Sequence, residues 1–248
     1  MVELINIENE RAKLILSYPK FNDIIYSRNI KALKEIGIET LISEGKINLG
    51  NIKVIGKGCA SIVILGILNN EKVAIKILRS DSNRASLIQE GEILKIVNEN
   101  GIGPRLISIK DTVIVMEYIQ GIYLPEWLRI EKDYKKFIKI LKDVLNQCHK
   151  LDVLGIDHGE LSNPKEHVII REDRAVIIDF ETASLKRKCK NLSSIMGYLF
   201  FNKENAKILR KFINWNDEKL IILIKEYKNS LKIYNRILEE IGLENLNY

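Results

Sequence analysis

An abrupt change in the hydrophobic pattern near residue 51 constrains the fold of this chain more than any other feature. Residues 6–45 carry apolar side chains at near-helical spacing, which predicts two or three short helices. From Asn51 to Arg79 the chain is instead rich in Ile and Val, in three short runs separated by glycines and by the pair Asn69-Asn70. Runs of this kind with turn residues between them predict three antiparallel strands. The fold therefore combines helices with an antiparallel sheet.

The region after these strands predicts one more helix, two more strands and then a largely helical half. Residues 86–98 have the pattern of an amphipathic helix, which the Gly-Ile-Gly-Pro run at 101–104 ends because proline cannot continue a helix. Strands are expected over 105–109 and 112–118. A long helix with one apolar face follows between residues 134 and 148. Beyond it come a polar loop, two short strands and further helices.

This order of elements predicts an α+β fold with two lobes. We expect a helical N-terminal extension over residues 1–48 and a first lobe over 49–118, with a five-stranded antiparallel sheet and one helix. The second lobe, over 119–248, is expected to be reduced and mainly helical.

Composition excludes several classes of protein. Hydrophobic residues make up 46% and charged residues 29%, as in ordinary globular proteins. No apolar run approaches the roughly 20 residues of a membrane-spanning helix, and the start lacks the apolar core of a secretory signal, so we expect a cytoplasmic protein with no membrane contact. The three cysteines form no CxxC pair, which argues against a disulfide framework and a zinc ribbon. The net charge of +6 is spread over lysines beside glutamates, as on a solvated surface.

A glycine-rich turn and a lysine in the strand region are candidates for binding phosphate. Gly56-Lys57-Gly58 lies between two predicted strands, where glycines allow backbone N–H groups to approach phosphate oxygens. A GxG between strands is more often only a turn. Lys76 lies among aliphatic residues, where an ammonium group is costly unless it is paired. Its spacing from Gly58, with one hairpin between them, resembles that of the phosphate-binding lysine in protein kinases, and this resemblance favours a phosphate role over a lysine that merely reaches solvent.

A second group of candidates lies in the polar loop 157–167 and at the end of a later strand. The loop reads Asp-His-Gly-Glu-Leu-Ser-Asn-Pro-Lys-Glu-His. Asp179 closes a hydrophobic strand and Phe180 follows it. A carboxylate oxygen is a suitable ligand for Mg²⁺.

From about Asn51 onward the chain resembles the protein-kinase-like superfamily. Within it, the chain is most similar to the small atypical archaeal Ser/Thr kinases, which include the RIO-type kinases and the kinase subunit of the tRNA-modifying KEOPS complex. Four segments carry the resemblance: the glycine-rich turn, with Ser61 in place of the third glycine; the lysine strand; the strand leading to the hinge; and the catalytic loop with its metal-binding Asp-Phe-x motif. They lie at 56–63, 73–76, 113–119, and 157–167 with 179–181.

The resemblance implies a site for ATP with Mg²⁺ or Mn²⁺. It implies that Lys76 binds the α- and β-phosphates and pairs with a glutamate of the following helix, either Glu90 or Glu92. Glu90 is preferred because its position relative to Gly101 matches that of the glutamate in the archaeal relatives. The implied ATP contacts are Ile55, Gly56, Gly58, Ala60, Ser61, Val63, Ala74, Lys76, Glu90, Met116, Glu117 and Ile119.

Glu160 departs from the family pattern at the catalytic base. It stands where the family has the aspartate that accepts the substrate proton, and its extra methylene moves the carboxylate by about 1.5 Å. A displacement near 1 Å can cost on the order of 100-fold where positioning matters. The loop, however, is longer than usual, which compensates in part. The implied catalytic residues are Glu160, Lys76 and Asp179, and His158 matches the structural histidine of the motif.

The second metal ligand is ambiguous. Counting from Glu160 to the position where the family has its metal-binding asparagine leads to Lys165, which cannot bind a metal. If the strand that begins at Val168 is aligned instead, the residue just before it is His167. Asn163 is the alternative. We therefore expect Asp179 with His167 or Asn163 as the metal ligands, and imidazole favours Mn²⁺ or Zn²⁺ over Mg²⁺.

The function implied by the resemblance is transfer of the ATP γ-phosphate to a hydroxyl group of an unknown protein by a Ser/Thr kinase. Glu160, Ser61 and the missing asparagine favour the alternative, a nucleotide-binding pseudokinase or an ATPase-type assembly factor. A small-molecule phosphotransferase shares the motifs, but the short second lobe leaves little room for its substrate pocket. Hardly any activation segment lies between Asp179 and the helix expected near Asn191, and the basic run Lys186–Lys190 falls in this stretch. The run would contact an acidic protein or the phosphates of nucleic acid or the ribosome, or it is only solvated surface.

Overall fold

The computed structural model describes residues 3–244, which form two compact units. The first unit comprises residues 3–98 and 104–118, and the second comprises 99–103 and 119–244. Each unit has its own sheet and its own helices, so the two are described separately.

A seven-stranded antiparallel sheet organises the first unit. The elements in chain order are β1 (Glu3–Asn6), α1 (Glu10–Leu16), α2 (Asp23–Ile36), β2 (Thr40–Ser43), β3 (Ile47–Leu49), β4 (Ile52–Val54), β5 (Gly56–Lys57), β6 (Ser61–Leu68), β7 (Glu71–Leu78), α3 (Ile88–Glu99), β8 (Leu106–Ile109) and β9 (Val113–Glu117). The strand order is β1-β2-β6-β7-β9-β8, with β5 beside β6. Strands β3 and β4 form a separate hairpin.

Strands β1 and β2 correct two predictions, the helical N-terminal extension and the five-stranded sheet. They lie in the segment expected to be entirely helical, and they extend the sheet beyond the five strands expected. Each has four residues, too few to show a period of two against the helical pattern beside it. Pairing across a long sequence separation stabilises them, since Leu41 lies opposite Gly66 of β6.

Helices α1 and α2 cover one face of this sheet. The buried cluster there joins residues of both helices to alternate residues of the central strands, among them Ala12, Ile15, Leu33, Ile62, Ile64, Ile75, Ile77 and Val113. Helix α2 begins at a standard cap, because the Asn22 side chain accepts a hydrogen bond from the Ile25 N–H, and it ends at Gly37 with a φ of +93°. Because side chains alternate along a strand, Val63, Ala74 and Lys76 lie on the opposite face.

The second unit is mainly helical and contains a small three-stranded sheet of order β10-β11-β12. Its elements are β10 (Ile122–Tyr123), α4 (Leu124–Ile130), α5 (Tyr134–Val153), a 3₁₀ turn (Pro164–Glu166), β11 (Val168–Arg171), β12 (Arg174–Ile177), α6 (Asn191–Met196), a π-helical turn (Gly197–Phe201), α7 (Lys203–Leu209), α8 (Asp217–Tyr227), a second 3₁₀ turn (Leu231–Ile233) and α9 (Tyr234–Glu240). The long helix α5 lies at the centre of its core, with Phe137, Leu141 and Val144 fully or almost fully buried.

The predicted fold class, a mixed α and β protein with an antiparallel sheet of the kinase-like kind, is confirmed. Among the described helices, none combines the length and the apolar character needed to cross a membrane.

Candidate functional site

Lys76 lies in the middle of the sheet of the first unit. It is on β7, opposite Val63 of β6 and Ile114 of β9, and its side chain is only 3% exposed. Ammonium groups are rarely buried to this degree without a charged partner, because removing them from water costs several kcal/mol. The buried position therefore calls for an anion nearby.

Glu90 supplies that anion. The Lys76 Nζ lies 2.7 Å from the Glu90 Oε1, and the Glu90 side chain is 5% exposed. Glu92, the other candidate from the sequence, is exposed. Residues two apart on a helix face different directions, so only one of the two can reach the sheet.

Gly91 explains how helix α3 comes close enough to the sheet. A Cβ atom at this position would lie 2.0 Å from the Ile109 Cδ1 of β8. The absence of a side chain at Gly91 lets the helix approach β8, and this close packing sets the position of the neighbouring Glu90.

The other predicted ATP contacts of the first unit lie on or beside the same strands. Ala74 pairs with Met116 in register, so their side chains share the face of Lys76. Glu117 ends β9, and its Oε2 accepts a hydrogen bond from the Arg105 N–H at 3.2 Å. Ile119, just beyond β9, is buried. The glycine-rich segment has Ile55 and Gly56 half-buried, Gly58 exposed, and Ala60 and Ser61 buried.

In the second unit, a buried polar network holds the start of the catalytic-loop segment. Asn191, the first residue of α6, donates through Nδ2 to the Ile156 carbonyl and to the Asp152 carboxylate, both at 2.7 Å. Its Oδ1 accepts from the His158 N–H at 2.8 Å. Asp152 also accepts the hydroxyl hydrogen of Tyr227 at 3.0 Å. Burial raises the pKa of Asp152 above its ordinary value, although these hydrogen bonds oppose the rise.

His158 is completely buried, and its ring packs edge-on against that of His167, with the ring centroids 5.5 Å apart. Its Nε2 donates to the Ile178 carbonyl at 3.1 Å, and its ring packs edge-on against Phe180. Burial lowers the pKa of His158 to about 4, so the ring is neutral near pH 7. It thereby links the loop to the segment that carries Asp179.

Arg187, from the basic run Lys186–Lys190, makes a second set of hydrogen bonds that hold this loop in place. Its Nε donates to the Asp157 carboxylate at 2.8 Å, and its Nη2 donates to the Thr182 carbonyl at 2.6 Å. The Thr182 hydroxyl in turn donates to the His158 carbonyl at 2.8 Å. Arg187 is exposed like its neighbours Lys186 and Lys188, but its hydrogen bonds give it a structural role.

Three predicted site residues of the second unit come together. Glu160, His167 and Asp179 each direct one ligand atom to a common region in which these atoms lie within 4.8 Å of one another. Glu160 Oε2 is 3.6 Å from His167 Nε2. Asp179 has a φ of +64°, a conformation uncommon outside glycine, and backbone strain of this kind clusters at functional sites.

The cluster fits a divalent cation. Two ligands of one Mg²⁺ ion, each at about 2.1 Å, lie at most about 4.2 Å apart, so small side-chain rotations would bring all three atoms within range. The imidazole suits Mn²⁺ better than Mg²⁺. Asn163, the alternative ligand, is exposed at the start of the 3₁₀ turn, and Lys165 is exposed within it.

Sequence reasoning missed the residues that hold the site in place. Asp152 and Asn191 lie 39 positions apart and only the fold joins them. The one available signal was an aspartate near the end of a helix that is otherwise apolar on its inner face. In the sequence, Arg187 is only one residue of a basic run, and nothing there marks its contacts with Asp157 and Thr182.

Comparison with known proteins places the chain in a family. The family model described as the RIO domain matches residues 68–195, slightly more than half of the chain. The chain belongs to the RIO domain family. It is thus an atypical member of the protein-kinase-like superfamily, which confirms the resemblance seen in the sequence.

Three relatives extend this result. An uncharacterized protein of Methanocaldococcus jannaschii is 32% identical over 118 residues, covering 47% of this chain and 98% of that protein. The KEOPS complex subunit Bud32 of Pyrococcus abyssi is 35% identical over 165 residues, covering 61% of this chain and 74% of the relative. The dual specificity protein kinase pyk3 of Dictyostelium discoideum is 24% identical over 249 positions, which cover 98% of this chain and 17% of that protein.

Proposed function

We propose that this protein is an ATP-dependent phosphotransferase, an atypical Ser/Thr protein kinase that transfers the γ-phosphate of ATP to a protein hydroxyl group. The observation that carries the proposal is the buried Lys76–Glu90 pair. Replacing a buried ion pair by apolar residues is often neutral or stabilising, so stability alone is a weak reason for its presence. In protein kinases such a pair holds the lysine ready for the ATP phosphates.

The second unit contributes the groups for metal binding and proton transfer. Asp179 and His167 would hold the divalent cation, which when bound neutralises charge on the phosphates. Glu160 would accept the proton of the substrate hydroxyl. The RIO family membership and the similarity to Bud32 support the use of ATP, while the protein acceptor rests on the kinase motifs.

The test compares two lysines of the same strand. Lys76→Met removes the buried ammonium, whereas Lys72→Met removes an exposed one that pairs with Glu44 at 2.6 Å. Purified protein would be incubated with γ-labelled ATP and Mn²⁺, and ATP binding would be measured by calorimetry. We expect Lys76→Met to lose at least 100-fold in transfer, on the order of the loss for a misplaced reacting group, and Lys72→Met to keep the wild-type rate. Equal rates for wild type and Lys76→Met would contradict the proposal.

A second candidate function is ATP hydrolysis without efficient transfer to protein. The position of Glu160 favours it, since the carboxylate lies 3.6 Å from His167 Nε2 and within the metal cluster. A carboxylate that binds the metal is not free to accept a substrate proton. In that case free phosphate, and not labelled protein, would be the main product.

Variants of Glu160 separate the two functions. If Glu160 is the base, Glu160→Gln nearly abolishes transfer and leaves Mn²⁺ binding close to that of the wild type. If Glu160 is a metal ligand, Glu160→Gln weakens Mn²⁺ binding, which electron paramagnetic resonance measures directly. Glu160→Asp, which restores the residue usual in the family, would then increase the share of label found on protein.

A further inference from the structure

Arg79, just beyond the end of β7, holds the glycine-rich turn at two points. Its backbone N–H donates to the Ala60 carbonyl at 2.8 Å, and its Nη1 donates to the Gly58 carbonyl at 2.8 Å. The turn is closed from within by a bond from the Gly58 N–H to the Ser61 carbonyl, also 2.8 Å. One arginine therefore binds two of the carbonyl groups in the turn between β5 and β6.

The hydrogen bond from Arg79 to the Gly58 carbonyl also fixes the direction of the next N–H group, that of Cys59. In a planar trans peptide the C=O and the next N–H point in opposite directions. Because the Gly58 carbonyl faces the Arg79 guanidinium, the Cys59 N–H points away from it. Backbone N–H groups of such turns are the usual donors to phosphate oxygens. Arg79 thus sets the orientation of a peptide group that the proposed function requires for ATP.

Arg79 is itself held on two sides. The Asp81 carboxylate accepts two hydrogen bonds from its guanidinium, at 2.8 and 2.7 Å, a two-point contact that fixes the plane of the group. The Tyr18 ring lies against it, with the guanidinium carbon 5.4 Å from the ring centroid. The ammonium group of Lys57, in β5, lies 5.5 Å from the same centroid. The Arg79 side chain is only 16% exposed.

Tyr18 belongs to the segment between α1 and α2, and that segment is well anchored. The Tyr18 carbonyl accepts hydrogen bonds from the Ser80 N–H and hydroxyl, at 2.8 and 3.1 Å. One residue earlier, the Ser17 hydroxyl donates to the Lys13 carbonyl and accepts from the Asn22 N–H. The aromatic ring is therefore presented to Lys57 and Arg79 from a fixed backbone.

We infer that Arg79 and Tyr18 are positioning residues for phosphate binding. Through them, the segment between α1 and α2 sets the conformation of the glycine-rich turn. The inference rests on the proposed function, because it assumes that the turn receives the phosphates of ATP. It assigns a role to a part of the chain that the kinase motifs leave unexplained. Neither residue contacts the nucleotide in this account, and both act through the turn.

The test measures the affinity for ATP and for adenosine by calorimetry, since adenosine has no phosphate. Arg79→Met keeps the apolar stem and removes the guanidinium, Tyr18→Leu removes the aromatic ring and leaves Arg79 in place, and Tyr18→Phe is the conservative control. Arg28→Met, at an exposed ion pair with Asp111 in the same unit, is the control for loss of charge. Thermal unfolding of each variant reports on the fold.

We expect Arg79→Met and Tyr18→Leu to weaken ATP binding about tenfold, with adenosine binding within twofold of wild type. Tyr18→Phe and Arg28→Met should bind both ligands as the wild type does. Equal losses for ATP and adenosine would indicate a general structural role and overturn the inference, as would unchanged ATP binding in Tyr18→Leu with a wild-type melting temperature. Failure of the wild-type protein to bind ATP would instead contradict the proposed function.

Discussion

The buried Lys76–Glu90 pair allows a quantitative prediction through a double-mutant cycle. Lys76→Met places an apolar chain of similar length in the sheet but leaves the Glu90 carboxylate, 5% exposed, without its cation. Removing one partner of a buried pair costs about 3–5 kcal/mol, whereas apolar residues at both positions are often neutral or stabilising. We therefore expect the Lys76→Met/Glu90→Met double variant to be more stable than Lys76→Met alone.

The size of the effect follows from the length of the chain. For proteins of about 150–250 residues, 1 kcal/mol shifts the melting temperature by about 2–4 °C. Lys76→Met should thus lower the melting temperature of the protein by on the order of 6–20 °C, and the second substitution should recover most of this loss. ATP binding should be lost in both variants, because neither has the ammonium group.

Urea denaturation followed by circular dichroism measures the four corners of the cycle. The exposed pair of Lys72 with Glu44 on the same sheet is the matched control, and its coupling should stay below about 1 kcal/mol. If the stability losses of Lys76→Met and Glu90→Met simply add, the two side chains are not coupled and this prediction is wrong. It is also wrong if Lys76→Met alone lowers the stability by less than about 1 kcal/mol.

Three further predictions concern other parts of the chain. Burial lowers the pKa of His149, so the unfolded chain binds a proton more readily than the folded protein, and the wild type should lose stability as the pH falls through about 6.5. His149→Phe should reduce this loss between pH 7.5 and 5.5 in urea denaturation, while the part that comes from the buried His158 remains. Identical pH profiles of the two proteins would contradict this prediction. Gly91→Ala should lower the stability of the fold by about 1–3 kcal/mol, because the added Cβ would meet the Ile109 side chain. The loss should be smaller in an Ile109→Val background, which lacks the Cδ1 atom. An equal loss in both backgrounds, measured by thermal unfolding, would show that this contact is not the cause. Asn191→Ala should lower the stability by about 1–3 kcal/mol for each buried group that it leaves without a partner. Ser193→Ala is the control, because its buried hydroxyl has no hydrogen-bond partner within residues 3–244, and it should change the stability very little. Equal losses for the two variants in urea denaturation would contradict a stabilising role for the Asn191 network.

The central strands could be predicted from the sequence because their signal is local. The Ile- and Val-rich runs that became β6 and β7 are eight residues long each and have turn residues at their ends. Lys76 stands out in such a run for the same reason, because aliphatic residues flank it on both sides, whereas the other charged residues of the strand, Glu71 and Lys72, lie together at its start. The choice of Glu90 over Glu92 needed the family resemblance, because both lie on the same predicted helix.

The supporting contacts could not be predicted, because they join residues far apart in the chain. Tyr18 meets Arg79 across 61 positions of sequence, and no local pattern marks either residue. The grouping of Glu160 with His167 and Asp179 depends on how the 3₁₀ turn brings the loop back to β11 and β12. Strands β1 and β2 depend on their pairing with each other and with β6, which outweighs the helical pattern around them.

The fate of the ATP γ-phosphate tests the proposed transfer to protein most directly. Wild-type protein and Asp179→Asn would be incubated with γ-labelled ATP and Mn²⁺, and label would be measured on the protein itself, on a generic protein acceptor and as free phosphate. We expect label on serine or threonine residues of protein, and we expect this label to disappear in Asp179→Asn. Absence of any turnover by the wild type, or label that persists unchanged in Asp179→Asn, would contradict it.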